Sequence, residues 1–102
     1  MPQRSSQSSP GSRTRTGLDQ PKRYNAVLIN DDFTTMDFVV DVLMSVFHKS
    51  LADAETIMLA VHQQGRGVAG TYCLDEAQTR AQMAMNMARE QNFPLKVICE
   101  PA

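Results

Sequence analysis

Three adjacent polar residues, Asn30, Asp31 and Asp32, together with the distant His62, are the side chains best suited to chemistry in this sequence. An Asn amide offers an acceptor oxygen, an Asp a carboxylate, and a neutral imidazole one acceptor nitrogen. Three such groups suit a cation with three donor hydrogens, and a free α-ammonium is such a cation. The spacing alone does not make them converge. Asn and Asp also favour turns, because their side chains bond the nearby backbone. A histidine bordering an apolar stripe also serves as a packed or solvated residue. Asp-Asp plus His can equally be a general acid/base set or part of a hydrolytic metal site. Against that, the chain has no nucleophile signature and no third strong ligand. Gly65, Gly67 and Gly70 do not form a phosphate-cradling loop. His48, His62, Cys73 and Cys99 have no paired zinc spacing. The expectation is a binding module, not an enzyme, with no metal and no cofactor.

The elements that must position these groups follow from hydropathy period. Tyr24 to Ile29 is a short apolar, β-favouring run, ended by the turn formers Asn30-Asp31-Asp32. Apolar residues at 36, 39, 40, 43, 44 and 47 predict a first helix over Met36 to Phe47, broken at His48-Lys49-Ser50. Ser50 reads as the N-cap of a second helix, with Asp53 as a weak capping-box partner and Gly65 as its stop. Ala54, Ile57, Met58 and Val61 form its apolar stripe. Arg66 to Cys73 suits a second strand. Asp75 reads as the next N-cap, with Gln78 at the capping-box position, and a third helix runs to about Gln91. Ala77, Ala81, Ala84 and Ala88 give that helix a small-residue stripe. Of its methionines, Met83 and Met87 are expected to pack and Met85 to point elsewhere, as core filling. Leu95 to Cys99 is the third strand.

The fold class is therefore α+β: one domain of order β-α-α-β-α-β, a three-stranded sheet with three helices packed on it. It is expected to span 22–102. Residues 1–21 are rich in Ser, Gln, Arg, Pro and Gly, cannot bury enough surface to offset their ordering entropy, and read as a disordered extension. The pattern leaves the pairing order of the strands open.

Composition excludes several function classes. The first 23 residues carry a net charge of +4 and the remainder -5, giving the overall -1. An acidic body argues against nucleic acid as a partner. No apolar run approaches a membrane span of about 20 residues, and no secretory leader is visible. Two cysteines without ligand spacing read as reduced, half-buried thiols. A soluble, cytoplasmic, monomeric protein is expected.

Three segments then carry a resemblance: Tyr24 to Phe38 (YNAVLINDDFTTMDF), Val39 to Ser50 (VVDVLMSVFHKS) and Ile57 to Gly70 (IMLAVHQQGRGVAG). The joint pattern NDD…T-x-M-[DE]-F-V…VFHKS…ML-x-VH-x-x-G resembles the ClpS family of Clp protease adaptors. Ala88-Arg89-Glu90 and Pro94-Leu95 extend the match, which covers about 22–100. The resemblance implies an adaptor for N-degrons, proteins whose first residue is Phe, Tyr, Trp or Leu. It implies that Asn30, Asp32 and His62 hold the substrate's α-amino group, with Asp31 close by. It further implies that Met36, Val39, Met58, Val61 and Leu95 line the pocket for the first side chain, with Thr34 and Ile29, or Leu28, as additions. The implied partner is the N-terminal domain of a ClpA-type AAA+ unfoldase, docked around Asp75, Gln78 and Arg80, with the N-terminal extension engaged during delivery.

Two departures stand out. The family often carries an acid where Gln78 stands, and usually Pro where Thr35 stands. Thr does not fix φ as Pro does, so a looser pocket edge beside Met36 and a shifted preference among the four first residues are expected.

Overall fold

The computed structural model describes residues 22–102. The extension expected over 1–21 lies outside the described residues. The elements run β1 (Tyr24–Ile29), α1 (Met36–Ser45), α2 (Leu51–Gln64), β2 (Arg66–Tyr72), α3 (Leu74–Glu90) and β3 (Lys96–Pro101), in the expected order. The sheet is antiparallel with order β2-β1-β3, so the first strand in sequence is the middle one in space. That position explains its composition: Ala26, Val27 and Leu28 are all 0% exposed. Ala26 and Leu28 face the helices, and by alternation Val27 lies on the other face between its register partners Val68 and Ile98. A bulge between Ala26 and Val27 shifts the register against β2.

The core joins Leu28, Val97 and Ala69 of the sheet to Phe38, Val42, Leu43, Ala54, Val61 and the alanine stripe of α3. Ala77, Ala81, Ala84 and Ala88 are each buried, so α3 packs closely along the sheet. Met87 packs against the core as expected, but Met83 is exposed and Met85, expected to point elsewhere, packs against the core. At about 100° per residue, Met85 and Met87 flank the alanine stripe by about 70–90°, whereas Met83 sits about 130° from it.

Three further boundaries differ. α1 ends at Ser45 and not at Phe47. His48 takes a left-handed φ of 56°, and the Lys49 N–H donates to the Leu43 carbonyl at 3.0 Å, so the chain turns while Phe47 remains buried. Phe47 continued the apolar pattern without continuing the helix. α3 begins two residues early: Cys73, not Asp75, is the N-cap, it makes no side-chain cap bond, and Asp75 sits in the first turn, where its charge favours the helix dipole. β3 is displaced towards the C-terminus, because its ladder pairs Tyr24 with Pro101. Ser50 does cap α2, its hydroxyl accepting from the Asp53 N–H at 3.1 Å. Both cysteines are free; Cys99 is half-buried, and burial raises its thiol pKa, but Cys73 is exposed, against expectation.

Arg80 has an architectural post. Its guanidinium donates to Glu76 Oε2 (3.0 and 2.8 Å), lies over the Tyr72 ring (4.9 Å to the centroid) and donates to the Val46 carbonyl at the end of α1. One side chain thus ties α1, β2 and α3. Replacing Arg80 by Met should keep much of the packing but lose these bonds, lowering stability by about 1–3 kcal/mol in urea unfolding. An unchanged urea midpoint would remove Arg80 from this role.

Candidate functional site

The loop between β1 and α1 is anchored at both ends by the backbone. The Asn30 N–H donates to the Gly65 carbonyl at 3.0 Å, joining the end of β1 to the residue that terminates α2. Gly65 has a φ of 92°, which favours glycine, and the adjoining strand passes close to α2. A Cβ at Gly67 would come within 2.8 Å of Val61 Cγ2 and 3.1 Å of the Ile57 carbonyl. His62 lies in the last turn of α2. The turn after α2 therefore brings His62 against the start of the Asn30 loop.

Inside the loop, Asp31 is fully engaged. Its Oδ1 accepts from the Phe33 and Thr34 N–H groups (2.8 and 2.7 Å), and its Oδ2 from the Thr34 hydroxyl (2.7 Å). Burial works to raise the Asp31 pKa, but the bonds from Thr34 and Phe33 outweigh it and hold the carboxyl below its ordinary range. The loop closes on α1 at Thr35, the N-cap, whose hydroxyl accepts from the Phe38 N–H at 3.2 Å. Thr35 has a φ of -74°, a value that proline also adopts. Thr35 thus secures the helix start with a side-chain bond where a proline would do so by stiffness.

The result is a pocket of about 480 Å³. Every residue from Asn30 to Met36 lines it, together with Val39 of α1 and Met58, Val61 and His62 of α2. Asn30, Asp32 and His62 are exposed and have no side-chain hydrogen bond among the described residues. Met36, Val39, Met58 and Val61 supply the apolar wall. Of the residues singled out from the sequence, the pocket gathers Asn30, Asp31, Asp32, Thr34, Met36, Val39, Met58, Val61 and His62. Ile29 and Leu95 lie outside its lining, and Leu95 is buried in the core, as is Leu28. Sequence reasoning did not single out Phe33 as a lining residue, and it placed Thr35 at the pocket edge without counting it in the lining. The available signal was the unbroken six-residue connection between strand and helix, Asn30 to Thr35, which wraps the cavity with each of its members. Asp75 and Gln78 are exposed on α3, while Arg80 is half-buried in the bonds described above.

Residues 19–98 match the family described as ATP-dependent Clp protease adaptor protein ClpS. The chain belongs to the ClpS family. It is 49% identical over 88 residues to the ATP-dependent Clp protease adapter protein ClpS of Acetivibrio thermocellus, covering 86% of this chain and 89% of that one. The ClpS of Desulforapulum autotrophicum is 50% identical over 80 residues, 78% and 77% of the two chains. Among solved structures, Agrobacterium tumefaciens ClpS2 bound to L-phenylalaninamide superposes with a TM-score of 0.79 at 36% identity, covering 81% of this chain and all of that one. The fold is that of a ClpS adaptor, in sheet, helices and order. Among the described residues no helix is long and apolar enough to cross a membrane, and no three His, Cys, Asp or Glu side chains gather as a metal-holding group.

The Asp31 bonds carry a pH consequence. Its folded pKa is depressed, so its contribution to stability is present above the unfolded value of about 3.9 and is lost as pH falls through the lower folded value. The native protein should therefore exceed Asp31→Ala in unfolding midpoint at about pH 6, and the gap should narrow towards about pH 3. A gap that stays constant across that range would show that the carboxylate charge does not hold the loop.

Proposed function

We propose that this ClpS adaptor binds proteins by their N-terminal residue, of the Phe, Tyr, Trp or Leu type, and hands them to a ClpA-type unfoldase for degradation. The observation that carries the reading is the division of one pocket into two chemistries. Asn30, Asp32 and His62, all without other side-chain partners among the described residues, stand beside the apolar wall of Met36, Val39, Met58 and Val61. An amino-terminal residue is an ammonium and an apolar side chain on one carbon, and it matches both parts at once. The ligand of the Agrobacterium tumefaciens relative, L-phenylalaninamide, has that constitution.

In this reading Asn30 and neutral His62 accept from the ammonium and Asp32 adds charge. Asp31 acts differently from its neighbour: with both oxygens engaged in the loop, it holds the acceptors in position and contributes negative potential. The exposed Met36 forms the pocket rim and limits the shape of the first side chain. Thr35 caps α1 next to Met36, so a changed preference among the four residues would come through the setting of that rim. Asp75 and Gln78 are the exposed candidates for unfoldase docking, and Arg80 supports that surface from behind.

The energetics suit a carrier. Burying an aromatic side chain removes about 150–250 Å² of surface, worth about 4–6 kcal/mol at roughly 25 cal/mol per Å². Charge-assisted hydrogen bonds add about 1.5–3 kcal/mol each, and association costs at least about 4 kcal/mol. The balance is near micromolar affinity, strong enough to hold cargo and weak enough to release it.

Peptides differing only at residue one, read by fluorescence anisotropy, test the proposal. Free Phe, Tyr, Trp or Leu termini should bind, and N-acetylation should abolish binding. Asp32→Ala and His62→Ala should each weaken it by roughly 10- to 150-fold. Affinity indifferent to acetylation would leave a protein-interaction domain of the ClpS fold without amine recognition.

A further inference from the structure

A second groove, of about 490 Å³, adjoins the pocket and is lined by Phe33, Arg89, Asn92, Phe93 and Pro94. Phe33 lines both and is the residue they share. It is 73% exposed, yet its backbone is held by the bond from its N–H to Asp31. A large apolar ring is thus kept in solvent by a fixed loop, at the lip of two cavities. The far side of the groove is equally firm. The Asn92 and Phe93 N–H groups donate to the Arg89 and Ala88 carbonyls (3.0 and 2.9 Å), with Asn92 in the left-handed region at a φ of 62°. The Phe93 ring packs edge-on to Phe38 of α1, 5.1 Å between centroids. Arg89 donates to Asn86 Oδ1 at 2.6 Å and has no carboxylate partner among the described residues.

Resting on the proposed N-terminal recognition, we infer that this groove takes a side chain from the second or third residue of the same bound chain, and that an aromatic one fits best. The chain leaving a filled pocket meets Phe33 as the shared lining residue, so the groove is the adjoining place for its next side chains. Two aromatic rings, a proline and a guanidinium offer stacking and cation–π contact to an incoming ring. The same guanidinium repels a lysine or arginine. The groove thereby adds a reading of sequence context to the reading of the first residue. Apolar area at the groove slows release of the cargo without altering which first residue is accepted.

The test compares Phe-Gly-Gly peptides with the same peptides carrying Trp or Lys at the second or third position. Affinities are measured on native protein, Phe33→Ala, Arg89→Ala and Asp41→Ala. The native protein should bind one of the Trp peptides roughly tenfold more tightly than the Gly peptide, with no gain from Lys. The ratio of Trp to Gly affinity within each variant cancels any effect on the first residue. That ratio should collapse in Phe33→Ala, shrink in Arg89→Ala and persist in Asp41→Ala, whose residue lies in a neighbouring acidic depression. Phe33 is exposed and outside the core, so its variant retains the fold. Equal Trp and Gly affinities, or a gain that survives both Phe33→Ala and Arg89→Ala, would overturn the groove while leaving N-terminal recognition intact. Failure of the free-amine Phe-Gly-Gly peptide to bind native protein would instead remove N-terminal recognition, and the groove's assignment with it.

Discussion

A single backbone hydrogen bond, from the Asn30 N–H to the Gly65 carbonyl, sets the relation on which the site depends. It ties the exit of the central strand to the end of α2. It carries the β1–β2 ladder one step past the Ile29–Arg66 pair and so holds the start of the loop beside the last turn of α2, where His62 lies. The bond is possible because Gly65 turns the chain in the left-handed region and Gly67 lets β2 run close against Val61 and Ile57. Two residues without side chains thus decide where the polar groups meet. The central position of β1 gives the loop a rigid origin, since its ladder is paired on both edges.

The same economy governs the other layer. The alanine stripe of α3 allows close approach to the sheet, and Arg80 then bridges the end of α1 to Tyr72 and Glu76. The Tyr72 ring in turn lies over Gly70, where a Cβ would stand 2.3 Å from its hydroxyl oxygen. Gly70, Tyr72 and Arg80 form a stack in which each residue type is required by the next. The residue that resemblance assigned to docking is therefore also a structural bridge, and substitutions there act on the fold before they act on any partner.

Much of this was readable from residue spacing. Period and caps predicted six elements in their order, and Ser50 and Gly65 bounded α2 as expected. What spacing did not reveal were positions decided by tertiary contact. Phe47 extended the apolar pattern of α1 because it is buried, not because it is helical. Asp75 had the chemistry of a cap, but the chain entered the helix at Cys73, where no side chain caps it. Met83 and Met87 lie four apart and look like a pair, yet the face that packs is set by the alanines. For the pocket, residue type suggested acceptors for an ammonium, and their convergence required the Asn30–Gly65 closure, a long-range contact that no local pattern encodes. Phe33 was passed over because an exposed aromatic beside a turn has no periodicity to mark it.

Asp31 and Asp32 are neighbours of identical chemistry with different work, and the difference is geometric. Three donors converge on Asp31, so its charge is spent on the loop and its pKa falls despite burial. Asp32 has no such donors among the described residues and stands open at the pocket. A loop built this way is stiff before any ligand arrives. Stiffness matters because acceptors that must be ordered on binding would subtract rotamer and backbone entropy from a modest affinity. The capped start of α1 at Thr35 extends the same logic to the apolar rim, since Met36 begins the helix immediately after it. A preorganised set of acceptors beside an apolar wall suits the proposed recognition of a chain terminus, and the stiffness that such recognition needs comes from the bonds within the loop itself.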